Sequence, residues 1–343
     1  MNGKTAFRTS LSFLLAGIFL YATFRGTNFS DLWESIKGVR YIWVIAVIPV
    51  TILSHWLRAV RWSYLLAPVK TSFRTRNLFS AVMIGYAVNN ILPRVGELVR
   101  PMVLGRLENV SKSSALATVV VERILDFLTF YFVVCIVLFL YPDSLDPFVK
   151  NVSTARPLLL AASLAAFVFF ALLFFRAEPV FRFFGRLAHL SPKRYEPRIE
   201  EFVRSFLSGL SDAAVREKML AILSMSLVIW LLYALAMYLP FFAYNSLAPF
   251  HLSFGDSIVL LTITSIAWVL PAPGAMGTYH SFLTIALVKL YGVDRTTALS
   301  FSIVTHELGY IIVMLIGGYY FFRDHFDVRV LAPHSQKANP GDS

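Results

Sequence analysis

The chain contains one cysteine, Cys135, which sits inside the apolar run LTFYFVVCIVLFLY. A single thiol forms no intrachain disulfide and no thiolate metal cluster, so redox and structural-zinc chemistry are excluded. Charge is nearly as scarce: 15% of the 343 residues are charged, against about a quarter in soluble domains. Acids are the scarcer sign, 20 against 31 Lys and Arg. Also absent are a nucleotide-binding glycine loop and a close acidic pair within a soluble stretch, so nucleotide-driven and soluble glycosyltransferase chemistry lack their residues.

What is abundant is apolar. Hydrophobic residues make up 57% of the chain and mean hydropathy is +0.66, as expected of an all-α polytopic membrane protein. The net charge of +11 does not point to nucleic acid. The basic residues lie in short loops beside apolar runs, where the positive-inside rule and anionic headgroups account for them. The N-terminus resembles a signal peptide, with Lys4 and Arg8 before an apolar core. It has no small-x-small cleavage site and reads as a retained first helix.

Spanning the hydrocarbon takes about 20 residues. Six full crossings are expected near residues 6–25, 41–65, 113–141, 157–176, 219–244 and 298–322. Two pairs of apolar pieces are too short: 78–92 with its continuation beyond Pro101, and 257–270 with 279–291. These read as re-entrant or broken helix hairpins. Arg58, Arg61, Lys70, Arg74 and Arg76, with no acid among them, mark one loop as cytoplasmic, and the nine basic residues in 176–218 mark another. Residues 245–256 have neither Lys nor Arg and belong outside. Both termini are therefore expected in the cytoplasm, and the chain in the inner membrane. Residues 1–322 form one membrane domain, with repeat halves at about 41–141 and 219–322, and 323–343 are a disordered cytoplasmic tail. Within the loop 177–218, Ile199, Phe202, Val203, Phe206, Leu207 and Leu210 recur at helical spacing, predicting an amphipathic helix on the inner surface or on the bundle.

The two broken segments resemble each other. NNILPRVGELVRP (89–101) and AWVLPAPGAMGTYH (267–280) each place Leu-Pro and then Gly at the end of a short apolar run. The long helices that follow contain SALATVVVER (114–123) and TALSFSIVTH (297–306), which puts Arg123 and His306 at one offset. Their flanking crossings run in opposite directions. That is the arrangement of an inverted repeat, whose interrupted segments mark a midplane site in transporters. Pro93, Gly96, Pro271, Pro273, Gly274 and Gly277 are the helix-breaking residues. Helix ends leave polar backbone groups that must be buried in protein or line a wet cavity. Asn89, Asn90, Arg94, Glu97 and Arg100 are placed to satisfy them or to bind something polar, the alternative being an interfacial turn that they merely cap.

Glu122 lies nine residues into its helix, roughly 14 Å deep at 1.5 Å per residue. Glu122 and Asp126 share a face, and Arg123 reaches Asp126 at a spacing of three. Ionisable groups at that depth cost about 2.5 to 3.5 kcal/mol each, which favours a polar pathway; a structural ion-pair network is the alternative. Arg58 and Arg61 in RAVRW read as snorkelling ends of their helix. His306 and Glu307 in VTHELGY are similarly deep in the last helix, where a bonded packing histidine is an equal alternative.

Together RAVRW, NNILPRVGELVRP, ALATVVVERILD and LPAPGAMGTY, in this order across most of the chain, resemble the flippase-like family that contains the transmembrane domain of lysylphosphatidylglycerol synthases. The resemblance implies a two-repeat membrane fold with re-entrant helices and movement of lipids or lipid-linked headgroups between leaflets. Arg58, Arg61, Asn90, Pro93, Gly96, Glu97, Arg100, Glu122, Arg123, Asp126, Pro271, Pro273, Gly274 and Gly277 match its patterned positions. The family pattern has Arg where His306 stands, which bears on anion binding by the second half. Synthase members also have a soluble aminoacyl-transfer domain, for which no stretch of this chain is long enough, so aminoacylation is not expected.

The substrate-binding candidates are thus Arg58, Arg61, Asn89, Asn90, Arg94, Glu97, Arg100, Glu122, Arg123, Asp126, His306 and Glu307, with no catalytic residue, cofactor or metal. The expected ligand is a membrane lipid: an anionic or aminoacylated phospholipid, a polyprenyl-linked lipid or another amphiphile. Homo-oligomerisation and a lipid-modifying enzyme as partner stay open. So do two other functions, a membrane-embedded transferase using Glu97 or Glu122 as base and a noncatalytic partner of a lipid synthase.

Overall fold

The structure, a computed structural model, describes residues 3–142, 154, 157, 158, 160–162, 164, 165, 215 and 217–324. All regular structure among them is helical: α1 Gly3–Phe24, α2 Phe29–Lys37, α3 Tyr41–Leu65, α4 Thr75–Ile91, α5 Gly96–Glu108, α6 Lys112–Leu140, α7 Met219–Tyr238, α8 Phe254–Val269, α9 Thr278–Tyr291 and α10 Arg295–Arg323. Short 3-10 turns at Leu239–Ala243 and Asn245–Phe250 continue α7 toward α8.

Among the described residues four helices are long and apolar enough to cross a membrane: α3, α6, α7 with its 3-10 extension, and α10. They correspond to the crossings expected at 41–65, 113–141, 219–244 and 298–322. Large apolar side chains cover their outward faces, among them Phe139, Leu220, Leu315 and Phe322. In water such a surface would aggregate, whereas in a bilayer it meets lipid. The first expected crossing is different. After Phe24 the chain turns by 89° through Gly26, in the left-handed region at φ 74°, and Asn28, which caps α2 by accepting from the Ser30 N–H. Counting the bent pair as one span gives five. Most of the crossing expected at 157–176, the amphipathic helix around 199–210 and the tail beyond Asp324 lie outside the described residues.

Both short pairs are helical hairpins. α4 ends at Ile91 because Pro93 excludes helical backbone from Leu92, which is extended at φ −124°, ψ 106°. Arg94 then adopts φ 66°, rare for a residue with a Cβ, and α5 starts at Gly96. Pro101 does not end this helix, contrary to the expected break there. It lies one turn inside α5, where its missing N–H removes a single bond to the Glu97 carbonyl. In the second pair α8 stops before Pro271, and Gly274, Ala275 and Gly277 all take positive φ before α9 begins. α8 and α10 start on their own side chains: Ser253 and Asp256 form a capping box, and Asp294 accepts from the Thr297 N–H at 2.9 Å.

Among the described residues two large apolar cores result, with a small third cluster of Met83, Ala87 and Val313. One joins α3–α6 around Trp62, Ile84, Leu104 and Leu125, and the other joins α7–α10 around Phe241, Leu260, Leu283 and Phe301. α3 packs on α7, α10 on α4 and α8 on α6. At the α3–α4 loop, Glu108 accepts from Lys70 Nζ at 2.6 Å, Asn77 Nδ2 at 2.7 Å and the Arg74 N–H at 3.1 Å. Burial pushes its carboxyl up, but these bonds outweigh it and hold the group below the usual carboxylate range. A carboxyl whose pKa is depressed on folding stabilises the fold above its unfolded pKa, about 4.3. That contribution is lost as pH falls through the folded value. Melting temperature should therefore fall on acidification below about pH 4.3, and the fall should be smaller in Glu108→Gln.

Candidate functional site

The first hairpin and α3 and α6 bring the charges together. Glu122, fully buried, stands at the centre. Its Oε1 lies 2.9 Å from Arg58 Nη1, 3.2 Å from Arg61 Nη2 and 3.5 Å from Arg123 Nη2, and its Oε2 is 2.7 Å from Arg100 Nη1. One turn on, Asp126 pairs with Arg58 at 2.5 Å, Arg61 at 2.6 Å and Arg123 at 3.1 Å. Glu97 meets Arg123 Nε at 3.4 Å. Four guanidinium groups thus face three carboxylates, which leaves one positive charge in excess.

Arg58 and Arg61 do not snorkel; they are 4% and 0% exposed. Arg58 donates to Tyr233 Oη at 3.0 Å and Arg61 to Ser226 Oγ at 2.8 Å, tying α7 to the cluster. Arg100 lies with its Cζ 3.7 Å from the centre of the Trp62 ring, and Trp62 donates to Thr118 at 2.9 Å. The guanidinium stacks on an aromatic face and so tolerates burial better than an ammonium would.

The other end of the cluster is open. Arg123 and Glu97 have side chains 37% and 30% exposed, while Arg58, Arg61, Arg100 and Glu122 are at most 5% exposed. A cavity of about 10 Å³ lies beside this pair, lined by Tyr86, Asn89, Gly96, Glu97, Arg100 and Arg123. It holds about one water and is too small for a phosphate. Asn89 Oδ1 accepts the Gly96 N–H at 2.7 Å and caps the break from within. Arg100 Nε and Nη2 are buried without a hydrogen-bond acceptor, as are the Nε atoms of Arg58 and Arg61, while Arg123 Nε has the 3.4 Å ion pair with Glu97. Of Arg58, Arg61 and Arg100, the last lines the cavity, and a guanidinium with spare donors is a group suited to binding an anion.

The remaining candidates lie elsewhere. Arg94 points away from the cavity and donates to the Val269 carbonyl at 3.0 Å, bridging the two breaks. Asn90 is buried with Nδ2 unpartnered, its backbone oxygen close to Gly274. His306 and Glu307 form a separate group with His280. His306 Nε2 contacts the Gly274 carbonyl at 2.8 Å and its Nδ1 contacts Glu307 Oε1 at 3.1 Å; His280 Nε2 is 3.7 Å from the same oxygen. The three ligand atoms lie within 4.8 Å of one another. His280 Nδ1, however, accepts the Gly277 N–H at 3.3 Å, so its Nε2 carries the proton and only two lone pairs remain for a metal.

The lysylphosphatidylglycerol synthase TM region matches residues 9–317, nearly all of what the structure describes. The chain belongs to that family. Two curated relatives are both called UPF0104 membrane protein. That of Methanothermobacter thermautotrophicus is 26% identical over 312 residues, 84% of this chain and 87% of its own. That of Methanocaldococcus jannaschii is 27% identical over 128 residues, 36% of this chain and 38% of its own. These names state a membrane protein and no activity. For this member of the lysylphosphatidylglycerol synthase TM region family, the arginine–carboxylate cluster is the strongest candidate site.

Proposed function

We propose that the protein moves an amphiphile with an anionic headgroup between leaflets, holding the headgroup at Arg100 and Arg123 while its tails stay in lipid. One observation carries this reading. The cluster has an excess guanidinium charge, and Arg100, which lines the cavity at the helix break, keeps two buried donors without an acceptor. Glu97 and Asp126 orient Arg123, and Arg58, Arg61 and Glu122 form the rigid floor beneath it.

On this reading the two halves are an inverted repeat of six crossings in the inner membrane, with both termini cytoplasmic. The packing supports the repeat. Exchanging α3–α6 for α7–α10 turns the α4–α10 contact into α8–α6 and the α3–α10 contact into α7–α6, and both members of each pair occur. The cavity, too small for a phosphate, is then that of a state between two openings, as alternating access requires. A transferase needs a carboxylate free to act as base, whereas Glu122 is surrounded by arginines and Glu97 faces Arg123. The site is better suited to holding an anion than to taking a proton from a substrate.

The test is leaflet exchange in liposomes containing the purified protein, with fluorescent phosphatidylglycerol, lysylphosphatidylglycerol and polyprenyl phosphate. Exchange no faster than in protein-free vesicles for all three overturns the reading. Arg123→Lys keeps the charge and loses the planar fork. Exchange should fall about tenfold or more, as for loss of one bond to a charged group worth roughly 1.5–3 kcal/mol. Its melting temperature should barely change, because the pairs made by this half-exposed side chain contribute little to stability.

A further inference from the structure

We propose that His306 and Glu307 hold a dissociable proton between them, and that its uptake and release are coupled to movement of the headgroup. The coupling rests on the lipid-translocation reading; the proton site stands on geometry alone.

Both ring nitrogens of His306 face acceptors. A carbonyl oxygen accepts only, so the 2.8 Å contact with Gly274 places a proton on Nε2. In a neutral imidazole Nδ1 is then a bare lone pair, yet it lies 3.1 Å from a carboxylate oxygen, which is also an acceptor. Two acceptors at that distance repel unless a proton lies between them. The pair therefore holds one proton more than a neutral histidine and an ionised carboxylate, shared between His306 Nδ1 and Glu307 Oε1. His280 supports the carboxylate from the other side. Its Nδ1 accepts from Gly277, which leaves the proton on Nε2, 3.7 Å from Glu307 Oε1.

The surroundings suit a proton that comes and goes. The rings of His306 and His280 are buried, and the Glu307 side chain is 38% exposed, which gives the pair one route out. The other titratable groups facing His306 are His280, Tyr279 and Tyr310, with ring centres 4.6, 5.0 and 6.2 Å away. Trp268 of α8 is apolar cover. From α4 and the first break, Arg94 is the charged group that reaches this side, and it is engaged with the Val269 carbonyl.

Proton loss acts on the second helix break. With Nδ1 bare, repulsion from Glu307 turns the ring or expels the carboxylate, and a turned ring releases the Gly274 carbonyl. Gly274 and Ala275 have positive φ of 52° and 56°, the latter unfavourable for a residue with a Cβ. The His306 bond is one of the restraints on that conformation. The same segment touches the first break, where a Cβ on Gly274 would lie 3.3 Å from the Asn90 carbonyl and Arg94 bonds to Val269. Protonation in one half thus reaches the hairpin that carries the arginine cavity.

Two measurements decide it. In ¹⁵N-histidine spectra of the full chain in bilayers at neutral pH, with His306 assigned by its loss in His306→Gln, both nitrogens should be protonated. A protonated-carboxyl infrared band that vanishes in Glu307→Gln counts equally. A neutral ring with an ionised carboxylate overturns the proton site, and so does one zinc per chain surviving a chelator wash. For the coupling, the steady-state distribution of fluorescent phosphatidylglycerol is measured in phosphatidylcholine vesicles, with membrane potential clamped by potassium and valinomycin. A gradient of one pH unit should displace the leaflet ratio by up to about tenfold for one proton per lipid. Glu307→Gln should lose this response and Glu307→Asp should keep it. Wild-type exchange with no response to either gradient overturns the coupling and leaves translocation standing. No exchange under any condition overturns translocation and the coupling together, and the spectra still decide the proton.

Discussion

Glu122→Ala is expected to destabilise the protein by about 3–5 kcal/mol, seen as a large fall in detergent melting temperature or loss of folded protein. Arg58, Arg61 and Arg100 have each left water to pair with this carboxylate, and none can swing back to solvent. Asp126 still pairs with Arg58 and Arg61, but Arg100 has no other carboxylate among its ion pairs. Glu122→Gln should fall between, since the amide still accepts a hydrogen bond without the charge. Apolar replacement of Arg58, Arg61, Arg100, Glu122 and Asp126 together should cost less than Glu122→Ala alone, because it strands no ion. A Glu122→Ala protein that melts like wild type would mean that the arginines find other partners or water, and the floor of the site would have to be redrawn.

Gly96→Ala should be nearly as damaging. A Cβ there would lie 1.8 Å from the Gly85 carbonyl oxygen and 2.7 Å from Asn89 Oδ1, so α4 and α5 must separate. The nearest obstacle is backbone, which cannot rotate aside. The cost should lie at or beyond the upper end of the roughly 1–3 kcal/mol typical of overpacking. The Asn89 cap on α5 would break with it, opening the cavity without ligand. Gly309→Ala is the control: beyond its own stretch of helix backbone a Cβ there has no atom within 4 Å, and removing a helical glycine should leave melting unchanged or raise it slightly.

Much of this was legible in the sequence because chain-local rules govern it. Pro93 and Pro271 end helices through their own rings, and Glu122 with Asp126 shares a face by helical spacing alone. The pairing of α3 with this face was not legible. Arg58 and Arg61 have the sequence signature of snorkelling side chains, and only the packing of α3 against α6 and α7 turns them inward. Tyr86, Trp62, Tyr233 and Ser226, which complete the cluster, are ordinary residues of apolar helices with no local signal. His280 stood inside the second motif, three residues beyond Gly277, and its role depends on α10 bringing Glu307 to it. The 89° bend after Phe24 had a partial signal in Gly26 and Asn28, which the strength of the apolar run before them obscured.

The sharing of one carboxylate by several arginines has a consequence for descent. Any lineage that loses Glu122 alone strands Arg100 and leaves Arg58 and Arg61 to share Asp126, and one that loses Arg100 alone leaves Glu122 short of a partner deep in the protein. Each single step leads through a less stable intermediate, although a fully apolar endpoint would be stable. The group is therefore expected to pass between generations as a block, kept whole or replaced whole, whatever lipid a given descendant comes to handle. Arg123 and Glu97, half exposed at the rim, are not bound by that rule, and divergence in substrate choice should be written there first.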